Sequence, residues 1–65
     1  MEEISLLDVV ALTENLQLDG KPLRRGTVGT VVEKWNDGAF EVEFSDETGE
    51  AYAFAAVPAE KLVKL

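Results

Sequence analysis

Two glycines three residues apart precede a β-branched run in Arg25-Gly26-Thr27-Val28-Gly29-Thr30-Val31-Val32-Glu33. This spacing narrows the choice of fold more than any other part of the chain. Glycine accepts backbone angles that other residues resist, so Gly26 suits a tight turn and Gly29 a bulge or sharp bend in the strand that follows. A small sheet bent this sharply folds over on itself and closes as a barrel. With 65 residues there is room for a single domain, residues 1–65, and one core. A chain of this size buries only about 60% of the surface that its unfolded form exposes. It has no cysteine for a disulfide framework or thiolate cage, and no histidine. Stability must therefore come from apolar packing and strand pairing, with a partner chain as a further source.

The alternation of side chains predicts the remaining elements. Asp8-Val9-Val10-Ala11-Leu12 reads as a first strand, because valine is poorly suited to a helix and well suited to a pleated sheet. A helix over Ile4–Leu18 is the competing reading. Before the strand, Ser5-Leu6-Leu7-Asp8 suits a single turn with Ser5 offering a capping oxygen. Thr13–Arg24 is a long connection with turn chemistry at Asp19-Gly20 and Lys21-Pro22. Leu16, Leu18 and Leu23 suggest that it folds back onto the barrel. Thr27–Trp35 is the second strand, and Asn36-Asp37-Gly38 is a tight hairpin.

Ala39-Phe40-Glu41-Val42-Glu43-Phe44 carries an unbroken period of two, with Phe40, Val42 and Phe44 on one face and Glu41 and Glu43 on the other. Ser45–Gly49 is the next turn. In the strand Glu50–Val57, Tyr52 and Phe54 share a face opposite Ala51, Ala53 and Ala55. Pro58-Ala59-Glu60 makes one helical turn, since proline suits a first helical position, and Leu62–Leu65 is a short last strand. The expected fold is all-β: a small five-stranded SH3-like barrel with one short helical turn before the last strand. The spacing alone also fits a five-stranded oligonucleotide-binding barrel, although that fold usually needs a longer chain and a helix between its third and fourth strands.

Thirteen acidic residues against six basic ones give a formal charge of −7. This repels nucleic acid phosphates and anionic lipid surfaces and favours a basic partner; the plainer account is that the acid serves solubility. No basic segment followed by an apolar run marks a signal peptide, and no apolar stretch approaches the roughly 20 residues that span a bilayer. With cysteine absent, the cytoplasm is the expected location.

Candidates for chemistry are few. Ser5 and Ser45 have no histidine to activate them, so the chain is expected not to be an enzyme. Glu41 and Glu43 lie about 7 Å apart on one strand face, where acid/base work competes with the simpler role of a solvated face. Asp46, Glu47 and Glu50 surround Gly49, but EF-hand ligand spacing is absent and a charged hairpin tip explains them. Gly26-Thr27-Val28-Gly29 lacks the third glycine, the lysine tail and the following helix of a phosphate cradle. No metal or cofactor is therefore expected. Trp35, at a strand end beside a hairpin, is either a lid on the core or an exposed contact residue, and Tyr52 poses the same choice. Arg24-Arg25 is the one local positive spot, with Arg25 suited to pairing with a carboxylate or capping the turn before Gly26.

The set Leu7-Asp8-Val9-Val10-Ala11-Leu12-Thr13, Arg25 to Glu33, Phe40-Glu41-Val42-Glu43-Phe44, Tyr52-Ala53 and the tail from Leu62 resembles a family of very small bacterial and cyanobacterial proteins of unknown function with SH3-like folds. The likeness covers nearly the whole chain. It implies an SH3-like barrel, and short stand-alone proteins of this kind are often companions of another protein, toxin-like ones included. Arg25 to Val31, with the strand Glu41 to Phe44, is also similar to the SH3-like domain of nitrile hydratase β subunits and their accessory proteins. There the barrel packs on a partner chain and supplies no metal ligand. The glycine spacing is similar to the KOW element of ribosomal and transcription proteins too, but Glu33, Glu41 and Glu43 stand where that element carries lysine and arginine.

These readings converge on a non-catalytic protein-interaction module, the acidic accessory or neutralising partner of a neighbouring gene product. Glu33, Glu41, Glu43, Trp35, Tyr52 and Arg25 are its candidate contact residues, and its partner is expected to be a basic protein rather than nucleic acid or membrane. The alternatives are a non-catalytic subunit of a larger enzyme and a KOW-like nucleic-acid-binding barrel. Self-assembly through an open strand edge is a further route.

Overall fold

Val42 and Phe44 of the neighbouring strand approach Gly29 so closely that a Cβ built there would lie 2.5 Å from Val42 Cγ1 and 3.0 Å from Phe44 Cδ1. The computed structural model in which this contact occurs describes residues 3–18, 21–45, 48 and 51–65, without the side chains of Leu18, Lys21, Ala51 and Tyr52. The order is β1 (Val9–Leu12), β2 (Leu16–Leu18), β3 (Lys21–Leu23), β4 (Val28–Lys34), β5 (Ala39–Ser45), β6 (Ala51–Pro58), a 3-10 turn (Ala59–Lys61) and β7 (Leu62–Lys64). Five of these strands form one antiparallel sheet in the order β6-β5-β4-β1-β7. The all-β class, the five-stranded sheet and the helical turn before the last strand are as the sequence predicts, and β1 is a strand rather than part of a helix.

The core is where the alternating side chains meet. Val10, Leu12, Val31, Val42, Phe44 and Val57 are fully buried, joined by Ile4, Leu23, Phe40, Ala55 and Leu62. Phe40, Val42 and Phe44 come from one face of β5, and Glu41 and Glu43 stand on the other. Beyond the expected strands, the connection Thr13–Arg24 contains a two-stranded hairpin, β2–β3, with Leu16 opposite Leu23. Leu23 is buried and Leu16 packs against the core from this hairpin, which gives the apolar residues of the connection their place.

Three local expectations need correction. Gly29 is not the site of a bulge: it pairs in register with both Val10 and Phe44, and its role is to let β5 lie close. The bulge falls three residues later, where Val31 faces Val42 but Glu33 faces Glu41, so Val32 is the extra residue. A second bulge lies in β6, where Phe44 faces Ala53 but Ser45 faces Ala51. The alternation that would set Ala51 with Ala53 and Ala55 stops there. In the first turn the capping oxygen belongs to Asp8, whose carboxylate accepts from Ser5 N at 2.7 Å; the Ser5 hydroxyl is not the cap. The expected turns at Asp19-Gly20 and around Asp46-Glu47 and Gly49, and the acidic cluster of Asp46, Glu47 and Glu50, lie outside the described residues.

The turns that are described follow backbone chemistry. Gly26 and Gly38 have φ of 90° and 87°, the left-handed region in which a side chain is strained. Gly38 closes the three-residue loop Asn36-Asp37-Gly38, across which Trp35 N donates to Ala39 O at 2.9 Å. Leu7 also sits at positive φ, 70°, with a side chain that is 75% exposed. Its N–H donates to Val31 O at 2.7 Å, so the sheet holds it in a conformation that leucine disfavours.

Two outcomes follow. Gly29→Ala should lower stability by about 1–3 kcal/mol through overpacking against Val42 and Phe44, whereas Gly38→Ala, which meets open space, should lose about 1–2 kcal/mol through its left-handed backbone alone. Leu7→Asn should raise stability by roughly 0.5–1 kcal/mol, because asparagine tolerates the left-handed region. Urea midpoints at unchanged m-value measure both.

Candidate functional site

Strand β5 and its neighbours present their polar face outward, and the bulge at Val32 decides what stands on it. Without the extra residue, Glu33 would fall opposite Phe40, on the core side. With it, Glu33 faces Glu41 directly across the ladder, and Glu43 stands two residues along β5, opposite Thr30 on one side and Phe54 on the other. Like charges facing each other across a ladder are destabilising. Among the described residues none of the three carboxylates has an ion-pair partner. Lys61 is spent on Glu14 at 3.4 Å and Lys64 on Asp8 at 3.5 Å, both on the β1–β7 side.

Trp35 completes this corner. The three-residue hairpin sets it alongside Ala39, and its indole Nε1 donates to Glu41 Oε1 at 3.2 Å. It is 46% exposed, so it stands on the outer face rather than in the core. Trp35, Asn36, Asp37, Ala39, Glu41 and Ala56 line an open hollow. Two alanines leave room for it, and two carboxylates and an indole ring border it. Asp37 is fixed by its own turn, with Oδ1 accepting from Ala39 N at 3.2 Å.

Glu33, Glu41, Glu43 and Trp35 are thus brought together. Arg25 is not. It lies in the turn before β4, whereas Glu33 is near the far end of that strand, and the strand from Val28 to Glu33 alone spans about 16 Å. There its backbone N–H donates to Asn15 Oδ1 at 2.8 Å. Tyr52 belongs to β6 by its backbone, and its side chain is outside the described residues.

The hollow has no signal in the sequence, since Ala56 meets Glu41 only through the register of β5 with β6 and Trp35 reaches it only across the hairpin. Alternation does mark Phe54, which is 56% exposed on the outer face beside Glu43. Past Thr30 the same face turns apolar, with Val28, Val9 and Val63 each nearly half exposed. Among the described residues, no three His, Cys, Asp or Glu side chains are arranged to hold a metal ion, and no helix is long and apolar enough to cross a membrane. The arrangement offers charge, an aromatic surface and an exposed sheet face, which suit contact with another molecule.

A family model for DUF4926, a domain of unknown function, matches residues 6–64. No curated protein and no solved structure matches the chain.

Replacing Glu33 relieves the facing charges while leaving the Trp35–Glu41 hydrogen bond in place. Glu33→Thr should therefore stabilise the fold by roughly 0.2–1 kcal/mol at low ionic strength, with the gain shrinking as salt screens the pair. Thermal unfolding of the two proteins at low and high salt reads the difference.

Proposed function

The chain belongs to the DUF4926 family, and we propose that it is a non-catalytic protein-interaction module that docks a basic protein on the outer face of its sheet. The observation that carries this reading is the direct opposition of Glu33 and Glu41 with Glu43 beside them. Such a row costs stability in the free protein, and a cationic surface laid against it turns that repulsion into attraction. Trp35, held against Glu41, adds the kind of aromatic residue that is enriched where binding energy concentrates. The formal charge of −7 acts at longer range and steers the encounter.

In this reading the protein is the acidic accessory or neutralising companion of another gene product, working in the cytoplasm within an SH3-like barrel. A place as a non-catalytic subunit of a larger assembly uses the same surface. Nucleic acid is the poorer fit, because Arg25 stands far from Trp35 and the face beside Trp35 is acidic.

The test is a pull-down from cells of the source organism at low salt, with the captured protein identified by mass spectrometry. A basic protein should be retained, released as salt shortens the screening length from about 10 Å at 0.1 M to about 3 Å at 1 M, and lost from the Glu41→Lys, Glu43→Lys variant. Capture of nothing at low salt, or equal capture by the charge-reversed variant, refutes the reading.

A further inference from the structure

Strand β6 is an edge of the sheet, and among the described residues its strand partner is β5 alone. The direction of its unpaired groups follows from the ladder. Trp35 N donates to Ala39 O, so Ala39, Glu41 and Glu43 turn their peptide groups toward β4, and Phe40, Val42 and Phe44 turn theirs toward β6. The partners of that second set are Val57, Ala55 and Ala53. By the same alternation, the N–H and C=O of Phe54 and Ala56 point out of the sheet. Edge strands are normally protected by lysine, proline, a bulge or short length. In β6 the bulge comes at Tyr52 and the proline at Pro58, and the segment Ala53-Phe54-Ala55-Ala56-Val57 between them carries no such guard and no charge.

The hollow bordered by Trp35, Asp37 and Glu41 opens beside this segment, with Ala56 as the residue between Glu41 and the edge. A strand added along β6 would lie about 4.8 Å from it and about 10 Å from β5. A side chain opposite Ala56 on that strand passes over a methyl group, and one as long as arginine or lysine reaches the Glu41 carboxylate. Arginine fits best: its planar guanidinium pairs with a carboxylate and stacks on an indole face.

Resting on the docking role argued above, we infer that the β6 edge receives an extended, arginine-bearing segment of the partner by strand addition, its backbone pairing with Phe54 and Ala56 and its guanidinium entering the Trp35–Asp37–Glu41 hollow. A second copy of this chain is the weaker occupant. Its own β6 has no cation between Ala51 and Pro58 to fill the hollow, and it brings another acidic face alongside the first.

The probe is the blocked peptide acetyl-Thr-Val-Arg-Val-Thr-amide, titrated into isotope-labelled protein with amide shifts and hydrogen exchange followed by NMR. The Phe54 and Ala56 amides should shift saturably and exchange more slowly. Binding should weaken roughly tenfold when glutamate replaces the arginine, and comparably when the arginine nitrogen is methylated. The Trp35→Ala and Glu41→Gln proteins should bind more weakly, and the charge effect should fade with salt.

Unperturbed Phe54 and Ala56 amides at about 5 mM peptide, enough to nearly fill a site of Kd about 1 mM, overturn the inference. Shifts confined to Trp35 and Glu41 and indifferent to N-methylation overturn strand addition while leaving the acidic face as a docking surface. Protection of Phe54 and Ala56 in the free protein that vanishes on dilution assigns the edge to a second copy and overturns the inference. Because the peptide reports at the edge and the pull-down at the carboxylates, failure of one is distinguishable from failure of the other.

Discussion

The close approach of β5 to Gly29 governs the rest of the molecule. Val42 and Phe44 occupy the space that any side chain at position 29 would need. That contact brings two fully buried residues of β5 against the strand pair β4–β1, where Val10 and Val31 complete the layer. In a domain this small there is little other core to compensate for a loss of fit. The hairpin β2–β3 then closes the remaining opening with Leu23 and Leu16.

On that frame, one extra residue in β4 decides which side chains stand on the outer face of the sheet. Val32 shifts the register so that Glu33 leaves the core side and meets Glu41. A sheet selected only for stability would set a lysine or a threonine opposite Glu41. The same strand ends in Trp35, which the hairpin turns toward Glu41. Local cost, aromatic surface and an unguarded neighbouring edge thus occur together at one corner of the sheet, and departures from local optimisation tend to collect where a protein meets its ligand.

Much of the fold is legible in the sequence because it rests on short-range rules. Phe40, Val42 and Phe44 alternate without interruption, Gly38 ends a three-residue hairpin loop, and Pro58 precedes a helical turn; each acts within a few residues. What escapes is what depends on register between distant segments. Gly29 reads as a bend in its own strand, whereas its function is set by residues of β5. The bulge at Val32 has no glycine or other local mark, so the pairing of Glu33 with Glu41 cannot be read from either strand. Arg25 is near Glu33 in sequence, yet it lies in the turn before β4 while Glu33 is near the far end of that strand. The β2–β3 hairpin is hidden because Pro22 and the neighbouring turn residues read as loop, although Leu16 and Leu23 already show that the segment returns to the core.

The pairing of β1 with β7 has a kinetic consequence. Val10 lies beside Lys64 and Leu12 beside Leu62, contacts that span almost the whole chain. The meander β4–β5–β6 joins near neighbours and can assemble early, but the sheet is incomplete until its first and last strands find each other. Closing so long a loop carries an entropy cost that is recovered only when Leu62 enters the core. Folding should therefore be slow for a chain of this length, with the barrier set by topology rather than by the strength of any single contact.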